Sequence, residues 1–338
     1  MQSFTYQAVR DPSAAVAAAQ AGSTVRPTAA PAQFLAGGTT LLDLMKLGVM
    51  CPARVVDING LEGEFGKVDV GDRGLHLGAL ARMSQVADHP DIRRLYPVIA
   101  QSLALAASAQ IRNMASLGGN VLQRTRCNYF RDPGWGGCNK KEPGSGCAAV
   151  GGINRKHAVL GTGPDCIATY PGDFANALVA LDATAEIAGP AGLRAIRAED
   201  LHRAPGDTPH IETTLQPGDL IVGFAVPAGP WTRRSLYLKI RDRESYEFAL
   251  ASAAVALDLD GGIVRTARIA LGGVATRPWR AREAEAVLTG KPFDEALAQT
   301  AARAAFASAM TYGGNDYKPE LGRRTLVRAL MQAAALEV

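Results

Sequence analysis

Four of the chain's five cysteines, Cys127, Cys138, Cys147 and Cys166, fall within 40 positions, in steps of eleven, nine and nineteen. Clustered thiolates are soft ligands for zinc or for iron–sulfur centres. The segment that carries them is rich in Gly and Pro and shows neither a helical nor a two-residue apolar period, so it builds no core of its own. An irregular stretch of this length inside a compact domain needs something to pin it, and four thiolates on one metal centre supply that. The N-terminus reads as lacking a basic region followed by an apolar run, so metal ligation is preferred here over a pair of secreted-type disulfides. Cys51, at the start of a predicted strand, reads as a plain buried thiol.

Charge points the same way. From Arg124 to His157 the chain carries seven Lys and Arg against two Asp and Glu, a local +5, while the whole chain is only +4. A four-thiolate iron–sulfur centre is anionic, and nearby cations stabilise it. The competing reading is a zinc-stapled, basic module that touches nucleic acid; the cysteine steps argue against it, because they lack the C-x2-C pairs of zinc ribbons.

Two further stretches could hold a ligand. Phe34-Leu35-Ala36 runs into Gly37-Gly38-Thr39-Thr40 and then into a helical pattern from Leu41. Strand, glycine turn and helix together present backbone N–H groups and a positive helix end to phosphate. A second small, polar stretch, Ser116 to Asn120 with Gly118 and Gly119, reads as a loop just ahead of the cysteines. Two such loops can clamp the two phosphates of a dinucleotide, because glycine lets the backbone approach closely. After the cysteines, Tyr170 offers a ring for stacking and Asp173 a carboxylate for sugar-like hydroxyls, although Asp173 equally suits a helix N-cap. No H-E-x-x-H, G-x-S-x-G, Walker or Rossmann pattern is present, so no catalytic residue is assigned.

The elements that must position these residues follow from periodicity. Short strands are predicted around Thr5, Gln33–Ala36 and Arg54–Ile58, with helices after Asp11 and from Leu41 to Gly48. Short strands with Gly turns follow to Leu80, then a helix from about Ser84 and a longer one from Leu95 to Ala109. The composition changes near Pro227 to Pro230. Beyond it, alternating strands with a Gly261-Gly262 hairpin and three helical stretches predict a separate α+β domain. With 338 residues and 47% hydrophobic composition, a sizeable core is available, and no stretch is long and apolar enough for a membrane span.

Taken together, FLAGGTTLLDLMK at 34–46, RNMASLGGNVLQRTRCNYF at 112–130, CNKKEPGSGC at 138–147, IATYPGDFANALVALDA at 167–183, LQPGDLIV at 215–222 and KIRDRESYEFALASAAVAL at 239–257 resemble the FAD-binding medium subunits of the molybdenum hydroxylases, the xanthine oxidase family. The likeness is greatest to the aldehyde oxidoreductase type. It implies an α+β fold: a two-part FAD-binding domain of the vanillyl-alcohol-oxidase type over 1–228, with parts of about 1–60 and 61–228 and a cysteine-rich insertion at about 124–166, then a carbon-monoxide-dehydrogenase-flavoprotein-like domain over 231–338.

The resemblance further implies that Ala36, Gly37, Gly38, Thr39, Thr40 and Leu41, with Ser116, Gly118, Gly119 and Asn120, hold FAD. It places Ile167 and Asp173 along the cofactor and Lys239 near its ring system, and it makes Cys127, Cys138, Cys147 and Cys166 ligands of a [4Fe-4S] cluster. Tyr170 and Gly172 depart from the family's His-Pro-Ser-Asp pattern. The implied partners are a large molybdenum-cofactor subunit, a small [2Fe-2S] subunit and an external electron acceptor, in a heterotrimeric aldehyde oxidoreductase. The alternative is a related hydroxylase acting on an aromatic thioester or a heterocycle. The cluster is expected to be chiefly structural. The complex is expected in the periplasm through a partner's export signal, or else in the cytoplasm, without a targeting signal on this chain.

Overall fold

The computed structural model describes residues 1–20 and 26–338. Strands β1 (Thr5–Ala8), β2 (Ala32–Leu35) and β3 (Arg54–Asp57) form a parallel sheet in the order β1-β3-β2. Parallel pairing requires crossover connections. Helix Pro12–Gln20 lies between β1 and β2 in the chain, and helix Leu41–Leu47 between β2 and β3. The latter ends at Gly48, whose φ of 74° supplies a left-handed cap.

A second sheet is antiparallel. Its strands are β4 (Val68–Gly71), β5 (Gly74–Gly78), β6 (Thr184–Gly189), β7 (Gly192–Arg197) and β8 (Leu220–Pro227), in the order β4-β5-β8-β6-β7. The helices between Met83 and Val121, with helix Phe174–Ala180, cover it and share its apolar core. The single helix expected from Leu95 to Ala109 is replaced by helices Pro97–Ala104 and Ala109–Met114. Pro97 starts the first, where its missing N–H costs nothing, and Ala107, at φ 50°, turns the chain before the second.

The third sheet joins β9 (Ser235–Ile240), β10 (Ala251–Asp260), β11 (Ile263–Gly272) and the short β12 (Trp279–Arg280), in the order β12-β11-β10-β9. The expected hairpin forms at Gly261 and Gly262, both at positive φ. The alternation expected on β10 does not leave a wet face. Ala253, Val255 and Leu257 pack toward helices Arg282–Leu288, Glu295–Ala305 and Lys318–Ala334. Ala254 and Ala256 pack into the core of the second sheet. Burying a Val or Leu side chain contributes about 1.5–3 kcal/mol, and alanine on the opposite face permits close approach to helix Pro97–Ala104.

The cysteine-bearing segment is irregular apart from helix Asn128–Arg131. It does not float free. Phe130 and Cys138 enter the apolar cluster under helix Leu41–Leu47, with Leu44, Met45 and Val55. Cys51, expected to be buried, is exposed; it lies between Met50 and Pro52, in the turn before β3. Among the described residues no helix is long and apolar enough to cross a membrane.

Candidate functional site

Ala36 to Leu41 and Ser116, Gly118 and Gly119 line one cavity of about 320 Å³. The two stretches meet because Gly37 is seated on the chain ahead of the second one: a Cβ at Gly37 would lie 1.9 Å from the Met114 carbonyl oxygen. Gly38 has φ 73°, a conformation side chains resist. The second stretch is not a loop, as expected, but the start of helix Leu117–Val121. The Ser116 hydroxyl accepts a hydrogen bond from the Gly119 N–H at 3.3 Å as its N-cap. Gly118 lies close against Ala79, whose carbonyl accepts the Gly118 N–H at 2.8 Å.

Four other expected cofactor residues stand off the cavity wall. The Asn120 amide nitrogen lies 3.4 Å from the Met83 sulfur, and Ile167 packs with Tyr129 and Ala149. Asp173 and Lys239 satisfy one another in a buried ion pair of 2.7 Å. The other Asp173 oxygen accepts from the Tyr237 hydroxyl at 2.6 Å, and Lys239 also donates to the Leu105 carbonyl at 3.1 Å. Burial, then the Asp173 carboxylate, drives the Tyr237 pKa well above its ordinary value. Asp173 occupies an N-cap position without a side-chain capping bond. Tyr170 does line the cavity; its hydroxyl donates to the Val121 carbonyl at 2.8 Å and its ring meets His202 at 4.6 Å.

Sequence reasoning missed a charged group on the same wall. Glu212 is paired with both Arg124 and Lys140, the latter at 2.7 Å. Burial works against the Glu212 carboxylate, but the two cations outweigh it and hold its pKa below the ordinary value. Two cations against one carboxylate leave a local +1. The two terminal guanidinium nitrogens of Arg124 are buried without hydrogen-bond partners. Arg124 and Lys140 line the cavity, and their net positive charge suits a ligand rich in acceptors or negative charge. FAD fits that requirement: its pyrophosphate matches the glycine-turn backbone, and its carbonyls match donors such as Arg124.

The cations expected to surround the cysteines turn outward to carboxylates from elsewhere in the chain. Arg126 and Arg131 pair with Asp43 at 3.2 and 2.8 Å, Arg155 with Asp242 at 2.9 Å, and Lys156 with Glu247 at 3.3 Å. These pairs remove the basic surface on which the nucleic-acid reading rested. Lys140 alone among them also acts on a cysteine, lowering the pull of burial on Cys166.

The cysteines form a string of contacts. Cys138 and Cys147 face one another across a β-bridge. The hydrogen bond between Cys147 and Cys166 brings the Cys147 pKa down to about 6, and that bond together with burial raises Cys166. Burial pushes Cys127 up to about 11, with further contributions from the nearby charges of Cys138 and Cys147. Backbone N–H groups face three of the sulfurs: those of Tyr129 and Phe130 at Cys127, Ala149, Val150 and Ile167 at Cys147, and Ala168 at Cys166. No group of three or more His, Cys, Asp or Glu among the described residues stands in the geometry of a single metal ion. A four-iron cube takes one thiolate at each corner, a wider set than the tetrahedron around one ion. The surrounding N–H groups are donors that cysteine thiolates use.

Comparison with known proteins matches two families along the chain. Residues 2–229 match the family described as the FAD-binding domain in molybdopterin dehydrogenase. Residues 236–338 match the carbon monoxide dehydrogenase flavoprotein C-terminal domain. Over 337 residues, 99% of each chain, the sequence is 45% identical to the aldehyde oxidoreductase FAD-binding subunit PaoB of Escherichia coli. It is 26% identical to the glyceraldehyde dehydrogenase medium chain of Sulfolobus acidocaldarius, covering 90% of this chain and 89% of that one. Among solved structures, carbon monoxide dehydrogenase from Hydrogenophaga pseudoflava superposes with a TM-score of 0.74 at 26% identity, covering 99% and 98% of the two chains.

Proposed function

Because this chain belongs to the FAD-binding medium subunits of the molybdenum hydroxylases, we propose that it is the electron-transfer subunit of a three-subunit molybdenum-dependent aldehyde oxidoreductase. The observation that carries the reading is the likeness to an aldehyde oxidoreductase subunit over 99% of both chains. Substrate oxidation belongs to a large molybdenum-cofactor partner, and a small [2Fe-2S] partner delivers the electrons. FAD, when bound, accepts them and passes them to an external acceptor.

The residues of this chain provide placement and electrostatics. Gly37 and Gly38 shape a turn whose backbone approaches the pyrophosphate; the Leu42 N–H is held by the Gly38 carbonyl and the Leu44 N–H by the Thr40 carbonyl, each at 3.1 Å, which leaves the Leu41 N–H at the head of the helix for the phosphate. Ser116, by capping helix Leu117–Val121, fixes the second approach. Arg124 and Lys140, held by Glu212, keep positive charge on the cavity wall beside the cofactor. Cys127, Cys138, Cys147 and Cys166 hold a [4Fe-4S] cluster, a reading supported by their grouping within 40 positions and by the N–H groups that face three of the sulfurs.

The purified complex tests both cofactors at once. Flavin absorption over a broad iron–sulfur band is expected, with about four irons assigned to this chain after subtraction of the small subunit's [2Fe-2S] content. A chain that elutes colourless and carries zinc would sink the reading.

A further inference from the structure

Helix Leu117–Val121 has five residues, too few to hold itself in water. Its own bonds run from the Asn120 N–H to the Ser116 carbonyl at 2.9 Å and from the Leu122 N–H to the Gly118 carbonyl at 3.1 Å. Its place in the cavity wall must therefore come from outside. At its start, the Leu117 and Gly118 N–H groups donate to the Ala81 and Ala79 carbonyls at 3.0 and 2.8 Å. At its end, the Val121 carbonyl, which has no intrahelical donor, accepts twice: from the Tyr170 hydroxyl at 2.8 Å and from His202 Nε2 at 3.0 Å. A carbonyl only accepts, so the His202 proton sits on Nε2. Nδ1 has no hydrogen-bond partner among the described residues, and burial brings the pKa of the ring down to about 4, which keeps it neutral. The two rings stand 4.6 Å apart, both are buried, and both line the cavity with Ser116, Gly118 and Gly119. They reach Val121 from 49 and 81 residues away. One carbonyl thus ties three parts of the wall together.

We propose that His202, together with Tyr170, is a positioning residue for FAD: by donating to the Val121 carbonyl, the pair holds helix Leu117–Val121 and the Ser116 to Gly119 wall in the binding arrangement before the cofactor enters. The inference rests on the reading of the cavity as the FAD site. A wall ordered in advance spares the cofactor the cost of ordering it, and the saving appears as affinity. Neither bond involves FAD itself.

The test uses the intact complex after removal of its flavin, wild type against His202→Phe, His202→Gln and Tyr170→Phe. FAD binding is read by titration, and backbone hydrogen exchange is read over residues 116–123. His202→Phe keeps a ring against Tyr170 and loses the donor. It is expected to exchange faster in that stretch and to bind FAD about fivefold more weakly, the weight of one hydrogen bond. Added FAD slows the exchange again. His202→Gln, which returns an N–H donor at similar reach, recovers affinity to within about twofold of wild type. A His202→Phe complex that exchanges faster yet binds FAD as tightly as wild type overturns the proposal, since the bonds then serve the fold alone. A His202→Gln complex as weak as His202→Phe overturns it too. Should His202→Phe fail to assemble, Tyr170→Phe decides, because it removes only a hydroxyl: faster exchange with weaker binding supports the clamp, and a wild-type value in either removes it. A wild-type complex that carries no flavin and takes up none sinks the FAD reading underneath, and is recognised as such before any variant is compared.

Discussion

Glu212 holds two cations, Arg124 and Lys140, on the wall of the cavity. Neutralising it leaves both without a counter-charge. Removing one partner of a buried pair costs about 3–5 kcal/mol, and the 18% exposure of the Glu212 side chain places this one near the lower end. Glu212→Gln is therefore expected to cost roughly 3 kcal/mol in denaturant unfolding of the complex and to lower its flavin content; unchanged stability would show that water already screens the pair. The surplus of Lys and Arg was visible in the sequence, but its meaning was not. Lys140 and Glu212 are 72 residues apart, and only the fold shows that the surplus is met by carboxylates. Asp173 and Lys239 teach the same point across 66 residues. Each was legible as a polar group beside a ligand, and neither revealed that its first partner is the other.

At the scale of elements, the stretch from Met310 to Lys318 fastens the C-terminal helices to the cysteine segment. The Met310 N–H donates to the Val159 carbonyl at 2.8 Å, Asn154 to the Tyr312 carbonyl at 2.7 Å, and Asn315 to the Ala158 carbonyl at 3.0 Å. Lys318 is fully buried, donating to the Lys156 and Gly273 carbonyls at 3.0 and 2.7 Å. Those carbonyls suit the ammonium form, yet burial, then repulsion from Arg155 and Lys156, brings its pKa down to about 7. An unfolded lysine keeps its proton to about pH 10.4. Between about pH 7 and 10 the unfolded chain thus binds the extra proton, and stability rises with pH by at most about 1.4 kcal/mol per unit from this group. Below about 7 both states are charged and the slope vanishes. Thermal unfolding from pH 6.5 to 9.5 is expected to show this slope in wild type and to lose it in Lys318→Met; equal slopes would show that the carbonyls keep the ammonium charged throughout. The helices and the Gly261-Gly262 hairpin were readable from periodicity and turn residues. The docking of residues 310–318 was not, because most of its bonds join side chains to backbone 157 to 162 positions away.

Over the whole molecule, the cysteine segment is where the parts of the chain meet. Asp43, from the helix that starts on the cavity wall, takes Arg126 and Arg131; Glu212 takes Arg124 and Lys140; Asp242 and Glu247, from the chain between β9 and β10, take Arg155 and Lys156. The apolar contacts converge in the same way. Cys138 is buried with Leu44, Met45 and Phe130, directly beneath helix Leu41–Leu47, whose first residue lines the cavity. A disturbance at Cys138 therefore reaches the glycine turn of the cavity wall through a single layer of side chains. Cys138→Ser removes a thiolate from the proposed cluster and places a hydroxyl in that apolar layer, where an unpartnered hydroxyl costs about 1–3 kcal/mol. The expected outcome is a lower yield of the three-subunit complex by size exclusion, faster proteolysis within residues 127–166, and less FAD per chain, all three together. Were the variant to assemble with normal stability and full FAD while only its reduction kinetics changed, the segment would be an electron relay and not a clamp. The packing of Cys138 against helix Leu41–Leu47 favours the clamp, because a relay alone needs no sulfur in the core beneath the glycine turn of the cavity wall.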